Sequence, residues 1–273
     1  MPRRKRPRPR ISSLAEFVRW VEEVGDYFTS GGDYEVPWFR GTGDSRFHLV
    51  PDLYRSAEGR RPNADDELRC EFMRKALPLV AERAPRDDWE WYFLMQHQRA
   101  PTRLLDWTDA ALVALYFALS TWSNEKKASR GRPRPGVWAL NPFALNRKSG
   151  LGFQGPAGTD PRVWEGVRDY LPKVYSGRKK LPRYPIAIDP SFAAHRMLVQ
   201  HSHFTLHGRD RRGLDQMTEL KLESDLFLVI VALDAGNIER LRWHLTVAGI
   251  TETTIFPDLE GLARELRVEY RIP

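Results

Sequence analysis

The chain has one cysteine, Cys70, among 273 residues. That excludes an internal disulfide and fits a reducing cytoplasm. Its longest apolar run, Ala110 to Leu119, has the length of a core helix and falls well short of a membrane span. No apolar segment follows the basic N-terminus, so the first residues do not read as a secretory signal. No glycine-rich phosphate loop is present: Gly41-x-Gly43 lacks the third glycine and the helix that would complete it. There is also no CxxC, HExxH or nucleophile elbow, so classical zinc or serine-hydrolase chemistry is not expected.

Negative charge is in short supply, and the net charge is +7. Most of that excess lies in Arg3, Arg4, Lys5, Arg6, Arg8 and Arg10, which leaves the body near neutrality. A Pro/Arg segment of this kind cannot pack, so residues 1–10 are predicted to form a disordered basic tail. Such a tail either makes weak, salt-sensitive contact with nucleic acid or simply aids solubility. No membrane partner is expected.

The body alternates helical and strand patterns without an internal repeat or a clear linker. It predicts one α+β domain over residues 11–273 with a mixed or split β-sheet surrounded by helices. Ile11 to Tyr27 reads as an amphipathic helix, with Ser12 or Ser13 as cap. Glu35 to Gly41 reads as a strand with Val36, Trp38 and Arg40 on one face and Phe39 on the other. Asn63 to Ala84 predicts a long helix with Leu68, Phe72 and Leu79 in its core stripe and Cys70 as filler. Asp88 to Gln98 is a helix with an aromatic face. Thr102 to Trp107 is a short strand, and Ala110 to Trp122 is a helix apolar nearly all round. Strands are predicted at Gly136–Leu140, Ile186–Ile188, Asp225–Leu233 and Thr251–Phe256. Residues 146–160 read as a mobile Gly-rich segment, 161–171 as a short helix and 197–207 as a bent strand or hairpin. Asn237 to Ala248 is a helix with Gly249 placed to end it, and Pro257-Asp258 opens the last helix.

The polar chemistry concentrates in Gln96-His97-Gln98-Arg99-Ala100-Pro101-Thr102-Arg103-Leu104-Leu105-Asp106-Trp107-Thr108. Charges so close to a buried helix form either a structural ion-pair knot or a functional site. In an extended strand Asp106 and Thr108 share one face and Arg103 the other, so Arg103 and Asp106 each need a partner of their own. Arg40 ends an apolar strand and cannot shed its charge. It is either a fork for a phosphate or carboxylate, or an ion pair, for instance with Asp106. Gly41 lets a ligand or another backbone approach closely. His97 either completes the polar cluster or sits in the core. His201, His203 and His207 share strand parity, but no thiol or carboxylate stands near them in sequence and no metal is expected.

These residues resemble a known family. Phe39-Arg40-Gly41, with Leu49-x-Pro51-x-Leu53-x-Arg55, is similar to the opening of the FRG domain, which is named for that tripeptide. Gln96-His97 through Thr108, then Ala114-Leu115-Tyr116-Phe117-Ala118, resembles its central signature. Arg196-x-x-x-Gln200-x-x-x-Phe204-Thr205-x-His207 and Phe256-Pro257-Asp258-Leu259-Glu260-Gly261-Leu262 resemble its later motifs. The family often has Tyr-Gly where Gln98-Arg99 stand here, and Gly at Ser202. Its members are bacterial or phage-borne or lie near defence genes, which implies a toxin or anti-phage effector. More distantly, the aromatic-Arg-Gly strand end and the following strand–helix unit resemble the NAD-binding half of ADP-ribosyltransferases. That resemblance implies a nucleotide ligand, NAD, used by a transferase or a glycohydrolase. Arg40, His97, Asp106 and Gln200 would be the catalytic candidates. Phe39, Arg40, Gly41, Arg103, Thr108 and Phe117 would bind the cofactor. The third motif lacks the glutamate those enzymes use, so Asp106 or Gln200 would have to orient the ribose. The other readings of the sequence are a non-catalytic nucleic-acid or protein-binding module and a nucleotide or phosphodiester hydrolase.

Overall fold

A computed structural model describes residues 9–29, 34–80, 84–123, 132–150, 152, 155–159, 164, 166–172, 181–190, 201–233, 236–270 and 272. The chain runs β1 (Arg10–Ile11), α1 (Leu14–Thr29), β2 (Trp38–Thr42), α2 (Ala64–Ala76), α3 (Asp88–His97), β3 (Leu104–Thr108) and α4 (Ala111–Ser120). It continues with β4 (Gly136–Leu140), α5 (Pro142–Ser149), β5 (Ile186–Ile188), β6 (Ser202–Leu206) and β7 (Leu226–Val231). Three helices follow: α6 (Asn237–Val247), α7 (Glu252–Ile255) and α8 (Leu259–Glu269). The strands form one mixed sheet in the order β1-β7-β4-β2-β3-β6-β5, in which only the β1–β7 pairing is parallel. The α+β class and the mixed sheet are as the patterning predicts. Among the described residues no helix is long and apolar enough to cross a membrane.

β2 meets β4 over five residues, but it meets β3 at the single pair Phe39–Thr108. The sheet therefore parts between β2 and β3. Register places Phe39, Thr108 and Ser202 on one face. On that face α1, α4 and α6 cover Phe39, Val137, Ala139 and Val229, while α3 covers Leu104, Phe204, Leu206 and Ile188. Two cores thus lie side by side, and their seam falls where the strands diverge. The opposite face, with Trp38, Leu105, Trp107, Trp138 and Leu228, is closed by the short 3-10 turns between Leu214 and Leu222.

Several expectations are corrected. Ile11 is strand, not helix: Arg10 and Ile11 pair with Ile230 and Val231, and the Pro9 carbonyl accepts from Ile230 N–H at 2.9 Å. The predicted disordered tail is therefore ordered at Pro9 and Arg10, and residues 1–8 lie outside the described residues. α1 starts where Ser13 Oγ accepts from Glu16 N–H at 3.2 Å and the Glu16 carboxylate accepts from Ser12 N–H at 2.6 Å. The long helix predicted to Ala84 stops at Ala76. A 3-10 turn, Leu77–Leu79, follows because Pro78 has no N–H to continue the ladder. Leu79 and Cys70 are exposed, not core.

Thr251–Phe256 is not a strand. Thr251 and Thr254 cap each other reciprocally and start the helical turn α7, so local capping overrides β-branched propensity. Asn146–Ser149 close α5 rather than opening a mobile loop. Asn146 is fully buried, and its side chain bonds Gly155 O, Ala187 O and Ala187 N. The short helix expected over 161–171 is a 3-10 turn at Val167–Tyr170, with 161–163 and 165 outside the described residues.

Candidate functional site

A cleft of about 330 Å3 opens along the parting of β2 and β3. It draws Arg40, His97, Asp106, Thr108 and Phe117 together with Arg99. Phe39 and Gly41 also line it, but each has a structural duty. Phe39 is buried with its ring edge-on to Trp20 in the main core. A Cβ on Gly41 would lie 1.9 Å from Ala114 O and 2.5 Å from Ala118 N. Of the two approaches open to Gly41 from sequence, the structure contains the backbone one: α4 docks directly on β2.

Arg40 crosses the gap in the sheet. Its Nη1 donates to the Asp106 carbonyl at 2.6 Å and lies 3.6 Å from Asp106 Oδ2. Burial pushes its pKa down, with Arg55 adding to that and Asp106 and Asp52 opposing it; a guanidinium so placed stays charged. Nε and Nη2 make no hydrogen bond among the described residues. Asp106 is mostly exposed, at 56%. Gln96 Nε2 donates to both of its carboxylate oxygens, at 3.0 and 2.9 Å, while Gln96 Oε1 accepts from Thr102 Oγ1. That relay fixes the amide and aims a carboxylate into the cleft. Thr108 Oγ1 accepts from Ala110 N–H and turns the chain into α4.

Sequence reasoning missed Gln96, whose role depends on Thr102 and Asp106 at once, and Arg99. Arg99 ends α3 in a Schellman turn: Ala100 N–H bonds Met95 O, and Arg99 N–H bonds Gln96 O. This puts Arg99 at φ 61°, a conformation suited to glycine, and it stands where the resembling family often has Gly. The same turn closes α6, where Gly249 takes the position at φ 82°. An arginine stands there, exposed and without a side-chain partner among the described residues, in a strained backbone conformation. Arg99→Gly is expected to raise stability by about 1 kcal/mol in urea denaturation while removing a cleft cation. A loss of stability would refute the strain.

Arg103 is not brought to the cleft. It is the largest fully buried side chain among the described residues, with Nε 2.5 Å from Asp65 Oδ2 and Nη1 on His207 O at 2.6 Å; Nη2 donates to Tyr170 O. Tyr92 O–H donates to Asp65 and accepts from Arg103 N–H. The stretch from Gln96 to Thr108 therefore contains both a buried knot at Arg103 and an exposed carboxylate in the cleft at Asp106. Gln200 lies outside the described residues.

Of the three histidines, His201 and His203 share the Asp109 carboxylate, at 2.8 and 3.5 Å. His201 precedes β6 at φ 48°, and His207 is buried beyond its end, its pKa pushed down to about 3 by burial and by the Arg103 charge. His203 stacks on Trp38 at 4.5 Å with Nδ1 2.7 Å from Asp189 and Nε2 3.5 Å from Asp109. Burial lowers its pKa, but Asp109 and Asp189 outweigh that and bring it up to about 9. Among the described residues no group of three or more metal-binding side chains is present.

The two rings bound the pH range of stability from opposite sides. His203 stabilises fully below pH ~6.5, and this is lost as pH rises through about 9. The shift is worth at most ~3 kcal/mol. His207 acts at the other limb, because the unfolded chain takes up its proton as pH falls below ~6.5 and the folded one does not. In a melting-temperature profile, His203→Gln is expected to flatten the alkaline limb alone. An unchanged alkaline limb would show that the two carboxylates do not hold a charged ring.

The parted sheet and the charged, aromatic-walled cleft define an α+β protein with an open cleft at its seam. Residues 36–127 match the family model of the FRG domain, so an FRG domain is present in the chain. The match runs from just before β2 to just beyond α4, and so includes Arg40, Gln96, His97, Asp106 and Phe117. The opposite wall, Ser202, Phe204 and Phe256, comes from later in the chain. No curated protein and no solved structure matches the chain.

Proposed function

We propose that the cleft binds a nucleotide, NAD, and that the protein is an ADP-ribosyltransferase or NAD glycohydrolase serving as a toxin or anti-phage effector. The observation that carries this reading is the convergence of Arg40 and Asp106, held by Gln96, on one cleft with a phenylalanine wall. Nucleotide sites combine apolar walls with a few aimed polar groups in this way. Arg40 has two nitrogens without a hydrogen bond among the described residues that could hold a diphosphate, and Arg99 adds a second cation. NAD supplies the labile bond between nicotinamide and ribose; transfer breaks it, the ring nitrogen keeps the electron pair, and the ribosyl carbon bonds to an acceptor or to water. Asp106 would orient the ribose hydroxyls and stabilise the positive charge that develops on that carbon. His97, which also lines the cleft, would receive the proton the acceptor gives up.

The test is incubation of the protein with labelled NAD and cell extract, scoring NAD loss and label on macromolecules. Arg40→Ala and Asp106→Asn are expected to lower the rate by about 10²–10³ and still melt cooperatively. No NAD loss, together with no rise in melting temperature at high NAD concentration, would overturn the reading.

A further inference from the structure

The last motif, Phe256 to Leu262, lies outside the matched residues, yet it sends a side chain into the cleft. Phe256 lines the cleft with its ring edge-on to Phe117 at 6.1 Å and 82°. It is held from several sides. Its carbonyl accepts from Asp258 N–H at 2.8 Å, and a Cβ on Gly261 would stand 2.0 Å from that same carbonyl, so only glycine lets α8 start here. Asp258 caps α8 by accepting from Gly261 N–H at 2.7 Å. Behind the ring, the Arg264 guanidinium carbon sits 4.7 Å from the ring centroid. Arg264 is fixed by Glu252 at 3.0 Å and Glu260 at 2.6 Å, and Glu252 in turn accepts from Tyr116 O–H on α4. The junction of α7 and α8 therefore sets one largely buried ring, 8% exposed, in the cleft wall with a cation against it.

We infer that Phe256, positioned by Arg264, is the stacking wall for the neutral base of a dinucleotide, and that the cationic ring of the same ligand lies toward Asp106. This rests on the nucleotide reading above and adds an orientation to it. A guanidinium over one face of a phenyl ring draws on its π-electrons. The ring is then a poorer partner for a pyridinium and a better one for an electron-rich, uncharged base such as adenine. Arg264 is balanced by Glu252 and Glu260 and so acts through its contact with the ring, while the exposed Asp106 carboxylate attracts a pyridinium. Stacking on a single ring accounts for about tenfold in affinity.

The test compares NAD, ADP-ribose and nicotinamide mononucleotide on wild type, Phe256→Leu and Arg264→Gln, by calorimetry and melting temperature. Phe256→Leu is expected to weaken NAD and ADP-ribose about tenfold and leave nicotinamide mononucleotide unchanged. Arg264→Gln keeps the ring but removes the charge, and is expected to improve binding of nicotinamide mononucleotide relative to ADP-ribose. Its apolar core is untouched, so it covers the case in which Phe256→Leu fails to fold. Loss of nicotinamide mononucleotide instead of ADP-ribose would reverse the orientation and overturn the inference. Equal binding of every ligand by wild type and both variants would also overturn it, with the nucleotide reading intact. No binding of any of the three by wild type would sink the nucleotide reading itself.

Discussion

Gly41→Ala is expected to cost roughly 3 kcal/mol or more, or to prevent folding, although it adds one methyl group. The added Cβ would stand 1.9 Å from Ala114 O, 2.5 Å from Ala118 N and 3.0 Å from Ala114 C. All three are backbone atoms of α4, so no rotamer change relieves the clash and the helix must lift off β2. That lift would open the main core, because Ala114, Leu115, Ala118 and Leu119 are fully buried beneath it. Gly25 in α1 is the internal control. Nothing lies within 4 Å of its ideal Cβ, so Gly25→Ala is expected to gain ~0.5–1 kcal/mol from helix propensity. Urea denaturation of both variants checks the pair. Gly41→Ala within 1 kcal/mol of wild type would mean that α4 does not dock on the strand backbone.

Gly41 also marks how far sequence reading reaches. The tripeptide Phe39-Arg40-Gly41 was legible as a site, because an arginine ending an apolar strand needs a partner. Which of the three residues turns its side chain to the cleft was not legible, since that depends on a helix more than 70 positions away. Phe39 belongs to the core, Gly41 to helix packing, and Arg40 to the cleft. Elements whose signal is local read correctly: β7 from its apolar run, α6 from Gly249, α8 from its Asp258 cap. Misreadings arose where two local signals competed, as at Thr251–Phe256, or where a pairing partner is remote, as at Ile11, which joins Val231. Asp106 and Arg103 were correctly separated by strand parity. Their partners, Gln96 on α3 and Asp65 on α2, are fixed only by tertiary packing. Phe256 was recognisable as part of a motif but not as a cleft wall, because no spacing rule links it to Phe117.

Asp65→Ala is expected to destabilise the fold by about 3–5 kcal/mol, the other large effect in this molecule. Arg103 has 1% of its side chain exposed and Asp65 has 5%. Burial disfavours the guanidinium charge, and the Asp65 carboxylate more than offsets this, holding the Arg103 pKa above its usual value. Removing the carboxylate leaves a cation that cannot deprotonate in a buried site, and strips Tyr92 O–H of its acceptor. The cost is mainly that stranded charge rather than the loss of an attraction, and this has a consequence. Asp65→Ala combined with Arg103→Met is expected to be less destabilised than Asp65→Ala alone, since no charge is then left buried. The recovery will be partial, because Arg103 also donates to the His207 and Tyr170 carbonyls, and methionine leaves both unpaired. If the protein consumes NAD as proposed, that activity in any of these variants that still folds should follow the folded fraction, because neither side chain lines the cleft. A double variant less stable than the single would show that the carbonyl bonds, not the ion pair, dominate the knot. Activity falling well below the folded fraction would place Arg103 back among the residues that shape the site.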